Sequence, residues 1–257
     1  MPTRKPVVRA RRRVSRRVIR RRRQVAAAGV LLCLVLLVVT GSQLVAAFAG
    51  DSVATKTSRP DTPVTTPSRR SLIRATGEYA RALGGTVRHG SGKLMTYRVE
   101  VETGMGESAQ VFAAAADATL ADPASWTGQG RWSFQRVSTN DADFVIRLAT
   151  SATVDEVCAT VGLDTRGYVS CRAGKFVMIN LDRWLGAVPD FRGNVALYRQ
   201  YVINHEVGHQ LGYRHQACPG PGRPAPVMQQ QTLGLDGCLA NGWPYVEGKL
   251  VSGPATA

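Results

Sequence analysis

The chain of 257 residues has four histidines, and three of them fall in the stretch HEVGHQLGYRH, His205 to His215. On a helix, His205 and His209 are one turn apart and project from the same side. Two neutral imidazoles so placed can grip one cation. Glu206 is turned roughly 100° away from His205 by the 3.6-residue period, so it need not be a ligand and can reach a water at the cation instead. Gly212 is where such a helix should stop, because glycine enters the left-handed region without a Cβ clash. The chain then reverses, and His215 can bring a third nitrogen. Three histidine ligands with a fourth position open are a catalytic zinc arrangement rather than a closed structural one. Zn2+ is therefore the expected cofactor. It lowers the pKa of water towards about 7, and Glu206 is the expected general base as that water attacks a carbonyl.

These residues need a long helix and a framework to hold it. Residues 194–212 are expected to form the helix, with Val195, Tyr198 and Val202 at helical spacing. Upstream, 94–102 alternates, with Met95, Tyr97, Val99 and Val101 on one face and Thr96, Arg98, Glu100 and Glu102 on the other, which predicts a strand with one wet face. The Ala-rich segment 108–122 predicts a helix capped by Ser108. Residues 130–138 and 142–150 read as strands, and the run Phe144–Ile146 suggests burial on both faces. Residues 167–171 and 175–182 read as strands joined through Arg172-Ala173-Gly174. The expected class is α/β with a mixed sheet.

Charge and hydropathy divide the chain further. The formal net charge is +15, but residues 1–24 hold twelve of the 33 Lys and Arg and no acid. The remainder carries 21 basic against 18 acidic residues, so the folded part is almost neutral and nucleic-acid binding is not expected of it. Residues 25–49 carry no charged side chain. As a helix they would rise about 37 Å, enough to cross a hydrocarbon core of about 30 Å. Arginines before the run and Asp51 after it predict a single-pass anchor in the cell membrane, N-terminus in the cytoplasm and the C-terminal domain extracytoplasmic. Ala47-Phe48-Ala49 has the small-x-small form of a signal cleavage site, so secretion after cleavage near Ala49 is the alternative; the run is longer than the usual signal core. Residues 50–70 are rich in Thr, Ser and Pro and read as a flexible tether, leaving 71–257 as one domain. Cys158, Cys171, Cys218 and Cys238 would lie in an oxidising compartment. Three pairings exist; Cys158 with Cys171 and Cys218 with Cys238 is the most local.

His205, Glu206, His209, Gly212 and His215, followed by Met228 in the Pro-rich loop PAPVMQQ, resemble the metzincin clan of zinc metallopeptidases. The resemblance implies that His205, His209 and His215 are the metal ligands, Glu206 the catalytic base, and Met228 a turn beneath the metal. It also implies a zincin domain with a mixed sheet and a long active-site helix, and peptide or protein substrates in the cell envelope. In that clan an antiparallel edge strand holds extended substrate by strand addition, and residues 167–171 would be that edge. Residues 80 to 250, roughly, also resemble a domain family of membrane-anchored or exported proteins in high-GC Gram-positive bacteria, which adds no known substrate.

The chain departs from the clan in two places. Some members have a tyrosine two residues after the turn methionine; here that residue is Gln230, which leaves oxyanion stabilisation to another group, with Tyr245 a candidate. Residues 51–93 contain no cysteine, so latency through a zinc-blocking cysteine is not expected. Gln229, Gln230 and Gln231 either line the cleft or form a solvated loop. Trp243 and Tyr245 either wall a substrate pocket or pack onto the domain. His89 reads as a surface-loop residue. Two other functions use the same residues: hydrolysis of cell-wall amide bonds, and a non-catalytic envelope binding module stabilised by zinc.

Overall fold

Residues 74–256 are described by the structure, a computed structural model. The expected basic tail, apolar segment 25–49 and tether therefore lie outside the described residues. Among the described residues no helix is long and apolar enough to cross a membrane.

The framework is a six-stranded mixed sheet. Strand β2 (Lys93–Glu102), β4 (Phe144–Ala149) and β6 (Phe176–Asn180) run parallel side by side. β1 (Tyr79–Arg81) pairs antiparallel with the end of β2, and β3 (Trp132–Arg136) pairs parallel with its beginning. β5 (Cys171–Ala173) closes the other edge, antiparallel to β6. Parallel neighbours require crossovers. The first is α1 (Ala109–Ala121), the second α2 (Ser151–Ala159). Ser108 caps α1 through a bond from Val111 N–H to its Oγ, and Thr150 caps α2 through Thr153 N–H. α3 (Leu181–Gly186) and a short 3-10 turn (Pro189–Phe191) lead into α4 (Val195–Gln210). A small antiparallel pair, β7 (Tyr245–Val246) and β8 (Lys249–Leu250), lies near the end.

One face of the sheet presents Tyr97, Val99, Val101, Phe144, Ile146, Leu148, Val177 and Ile179, and packs with α1 and α4 into the main core. The opposite face carries a smaller cluster, where Val154 and Cys158 of α2 meet Ala149, Cys171 and Met178. As expected of a central parallel strand, Phe144, Val145 and Ile146 are fully buried.

The polar face of β2 is not wet. Arg98, Glu100 and Glu102 are 8%, 4% and 1% exposed. Glu100 gathers Arg98 and Arg147, each at 2.8 Å, and Arg147 lies between the rings of Tyr79 and Phe176. Glu102 accepts bonds from the N–H groups of Thr76, Gly77 and Thr150 and from the Thr153 hydroxyl. Burial alone would raise its carboxyl, but these four donors hold it below the usual carboxylate range. The alternation located the strand correctly; partners from distant segments, which alternation does not encode, cover its charged side.

The hairpin of β5 and β6 is also displaced from the expected one. Residues 167–170 do not join the sheet, because Gly167 N–H donates to Asp155 and the Ser170 hydroxyl accepts from Asn180 N–H. Pairing begins at Cys171, and Ala173 stands opposite Phe176. The turn is therefore Gly174-Lys175, with Gly174 at φ +58, a two-residue link in which glycine relieves the left-handed backbone. Arg172 thus lies within the edge strand rather than in the link.

Candidate metal centre

Asn194 starts α4 by accepting Leu197 N–H on its side chain. From Tyr201 to Gly208 every residue of the helix is buried, so about two turns are enclosed on all sides. Asn204 fixes its setting: its Oδ1 accepts from Ser125, its Nδ2 donates to the Gly242 carbonyl, and its own carbonyl accepts from Trp126 Nε1. At the far end, Gly212 adopts φ +92. Its N–H donates to the His209 carbonyl, and Tyr213 N–H donates to that of Gly208. This paired pattern is the Schellman stop, and it turns the chain so that His215 comes back to the helix.

The three imidazoles converge. His209 Nε2 lies 3.2 Å from His205 Nε2 and 3.0 Å from His215 Nε2. His205 Nδ1 donates to the Val227 carbonyl at 2.8 Å and His209 Nδ1 to the Tyr213 carbonyl at 3.0 Å. A carbonyl can only accept, so each Nδ1 carries the proton and each Nε2 offers a lone pair to the same point. Ligands at about 2.0–2.1 Å around a tetrahedral zinc stand about 3.3 Å apart, close to the spacing seen. Tying the second ring nitrogen to a backbone carbonyl is how proteins orient ligating histidines. The cluster can hold a metal ion.

Burial keeps all three rings neutral, the form that ligates. It holds His205 well below the usual imidazole range, with His209 adding to the effect. Burial and the His215 charge lower His209 to about 4, and burial lowers His215. Glu206 is 4% exposed, and its Oε2 has no hydrogen-bond partner among the described residues. Burial raises its carboxyl to about 8, with the Arg172 guanidinium acting in the opposite direction. A carboxyl buried with a free oxygen is costly, and a cation beside it offsets that cost.

A cavity of about 300 Å³ opens over the cluster. The three histidines and Glu206 form its base, Leu163 and Leu233 give it an apolar side, and Arg172 supplies a cation.

Residues 67–245 match a family model described as a protein of unknown function (DUF3152). The chain belongs to the DUF3152 family. No curated protein and no solved structure matches it.

The matched span of the DUF3152 domain contains His205, Glu206, His209, His215, Met228, Cys158, Cys171, Cys218 and Cys238. Cys158 pairs with Cys171 and Cys218 with Cys238, the local choice. The first bridge ties α2 to β5 at the cavity wall. The second closes the loop that carries Met228. That loop turns at 226–229, where Gln229 N–H donates to the Pro226 carbonyl. Met228 is 1% exposed and lies against α4 at Gly208.

The three glutamines separate. Gln230 is exposed and lines the cavity. Gln231 is fully buried and clamps the loop, donating to the Pro226 and Asn241 carbonyls and accepting from Asn241 N–H. Gln229 is buried and donates to the Gly234 carbonyl. Tyr245 and Trp243 do not line the cavity; Tyr245 sits in β7, packed against the segment at Gly128. His89 is half-buried and exchanges backbone bonds with Phe134.

Sequence reasoning missed Arg172 and Leu163 as cavity residues. A usable signal existed for Arg172: placing the turn at Gly174-Lys175 puts it in a strand whose neighbours Cys171 and Ala173 point inward. No comparable local signal marks Leu163.

Proposed function

We propose that the chain is a membrane-anchored, extracytoplasmic, zinc-dependent peptidase of metzincin type, hydrolysing peptides or proteins of the cell envelope. One observation carries this reading: three Nε2 atoms converge beside a buried Glu206 carboxyl with an oxygen unpartnered among the described residues. A purely structural metal site has no use for such a group.

His205, His209 and His215 would hold a zinc ion, which would supply Lewis-acid chemistry for a carbonyl and for water. Glu206 takes the proton of the attacking water and returns it to the leaving amine. The buried helix around it fixes the carboxyl and limits competing solvent. The sheet order supports the same reading. β5 lies at the sheet end, antiparallel to β6, and Cys171 and Arg172 of that strand line the cavity. An extended peptide can add to such an edge as a further strand, with the scissile bond over the histidines. Residues 25–49 anchor the chain with residues 1–24 in the cytoplasm, and the pairing of all four distal cysteines suits the oxidising side.

The test is cleavage of a diverse peptide library by the full-length protein. Chelation should abolish cleavage and added zinc restore it. Glu206→Gln should keep its metal and lose about 10²–10⁴-fold in rate. A Glu206→Gln protein that cleaves at the wild-type rate, or a wild type silent towards every peptide, would overturn the proposal.

A further inference from the structure

Beside the main cavity lies a second recess of about 340 Å³. It shares Arg172, His209 and His215 with the first and adds Arg214, Tyr213 and Thr256. No aspartate or glutamate lines it. Both arginines are exposed, and among the described residues neither has an ion-pair partner. Arg172 makes only a 3.4 Å bond to the Gly174 carbonyl. Of the two acids that line the main cavity, Asp164 is engaged by the backbone N–H and guanidinium of Arg166, and Glu206, on which the Arg172 charge acts, is buried at the base and makes no ion pair with Arg172.

Two exposed guanidiniums without ion-pair partners, beside a site for a dication, accumulate like charge. Such an arrangement suits an anionic ligand group, and a guanidinium pairs with a planar carboxylate through two parallel hydrogen bonds. Both cations stand on braced backbone. Arg172 projects from β5 between the buried Cys171, bridged to Cys158, and the buried Ala173. Arg214 sits between His215 and Tyr213, whose ring stacks on Trp126 at 4.4 Å.

We infer that the recess bearing Arg172 and Arg214 is a carboxylate-binding subsite of the cleft, taking an acidic side chain or the free C-terminus of a peptide. This rests on the peptidase reading given above. Two of the three histidines wall the recess, so the bound carboxylate belongs within about one or two residues of the scissile bond, at about 3.3–3.6 Å per extended residue.

The test measures binding, using the full-length Glu206→Gln protein so that nothing is cleaved. Fluorescent hexapeptide pools are compared by anisotropy: a fixed Glu against Gln with the C-terminus amidated, and a free C-terminus against an amide with no acid in the chain. The carboxylate form of one pair should bind about five- to tenfold tighter, and the pair that responds identifies the source of the carboxylate. Arg172→Gln and Arg214→Gln should each shrink that ratio, and the double variant should bring it to about one. Arg192→Gln, at an exposed arginine outside both cavities, should leave it unchanged. Equal binding of acid and amide pools, or a preference that survives the double variant, overturns the subsite. Cleavage by the protein with Glu206 intact is scored separately. Cleavage without carboxylate preference sinks the subsite and leaves the peptidase; preference without cleavage sinks the peptidase and leaves a carboxylate-binding recess.

Discussion

Gly208 of α4 stands so close to Met228 that a β-carbon added to the glycine would run into the methionine sulfur, and it would lie 2.9 Å from Trp126 Cζ2. The helix that carries two of the three histidines therefore rests directly on the loop whose Val227 carbonyl orients His205. At an exposed helix position, Gly→Ala gains about 1 kcal/mol. Here Gly208→Ala should lose about 1–3 kcal/mol by overpacking, because the Trp126 ring is held through its Nε1 and its stack on Tyr213. Thermal denaturation reads the change. In a Met228→Ala background the cost should shrink, a coupling that a double-mutant cycle resolves. A stabilised Gly208→Ala protein would show that the contact is slack.

The ligand assignment predicts about one equivalent of zinc per chain, measured by elemental analysis of the full-length protein. His209→Ala removes the nitrogen that lies nearest both others and should lose most of the metal. Metal content unchanged in that variant would rule the cluster out as the binding site.

The bridge Cys218–Cys238 closes a loop with a sequence separation of 20 that carries both Val227 and Met228. Its removal by a Cys218→Ala/Cys238→Ala pair should cost about 3 kcal/mol in the chain-entropy model. It should also weaken metal binding about 10-fold, because the carbonyl that holds His205 sits in that loop. Loss of stability with unchanged metal affinity would separate the loop from the centre. The Cys158–Cys171 bridge should cost a similar stability with little effect on metal, since no ligand carbonyl lies between its ends.

The metal-free protein should have a stability optimum in pH, its acid limb set by the lowered imidazoles of His205, His209 and His215 and its alkaline limb by Glu206. His209 has a folded pKa of about 4 against an ordinary 6.5. The unfolded chain therefore binds more protons between those values, and stability is lost as pH falls through that window. Glu206 has a folded pKa of about 8 against 4.5, so its contribution is present below 4.5 and lost as pH rises towards 8. His209→Ala should flatten the acid limb and Glu206→Gln the alkaline limb, as read by urea midpoints across pH. Limbs unchanged in both variants would assign the profile to other groups.

Parts of this fold are legible residue by residue. The α1 cap at Ser108, the alternation of β2, the doubly buried run of β4 and the span of α4 all follow from local preference and periodicity. The disulfides follow the shortest connections. Two expectations differ from the structure for a shared reason. The polar side of β2 and the start of β5 are decided by partners from other segments, Arg147 and Thr153 for one, Asp155 and Asn180 for the other. Helix α2 was not anticipated, since its short Thr- and Val-bearing sequence has weak helical preference and its packing against β5 and β6 secures it.

The sequence by itself determined the metal centre's plan. His205, Glu206 and His209 are related by the helical period, and Gly212 supplies the left-handed stop that returns His215; these are local backbone constraints that hold whatever surrounds them. Only the tertiary structure decided what the centre faces. The Val227 and Tyr213 carbonyls select the Nδ1–H tautomers of His205 and His209, burial encloses Glu206, and Arg172 on a sheet edge lines the same recess as Arg214 just beyond a helix end. Such pairings are set by how the sheet and helices close over a common core, and no period along the chain records them.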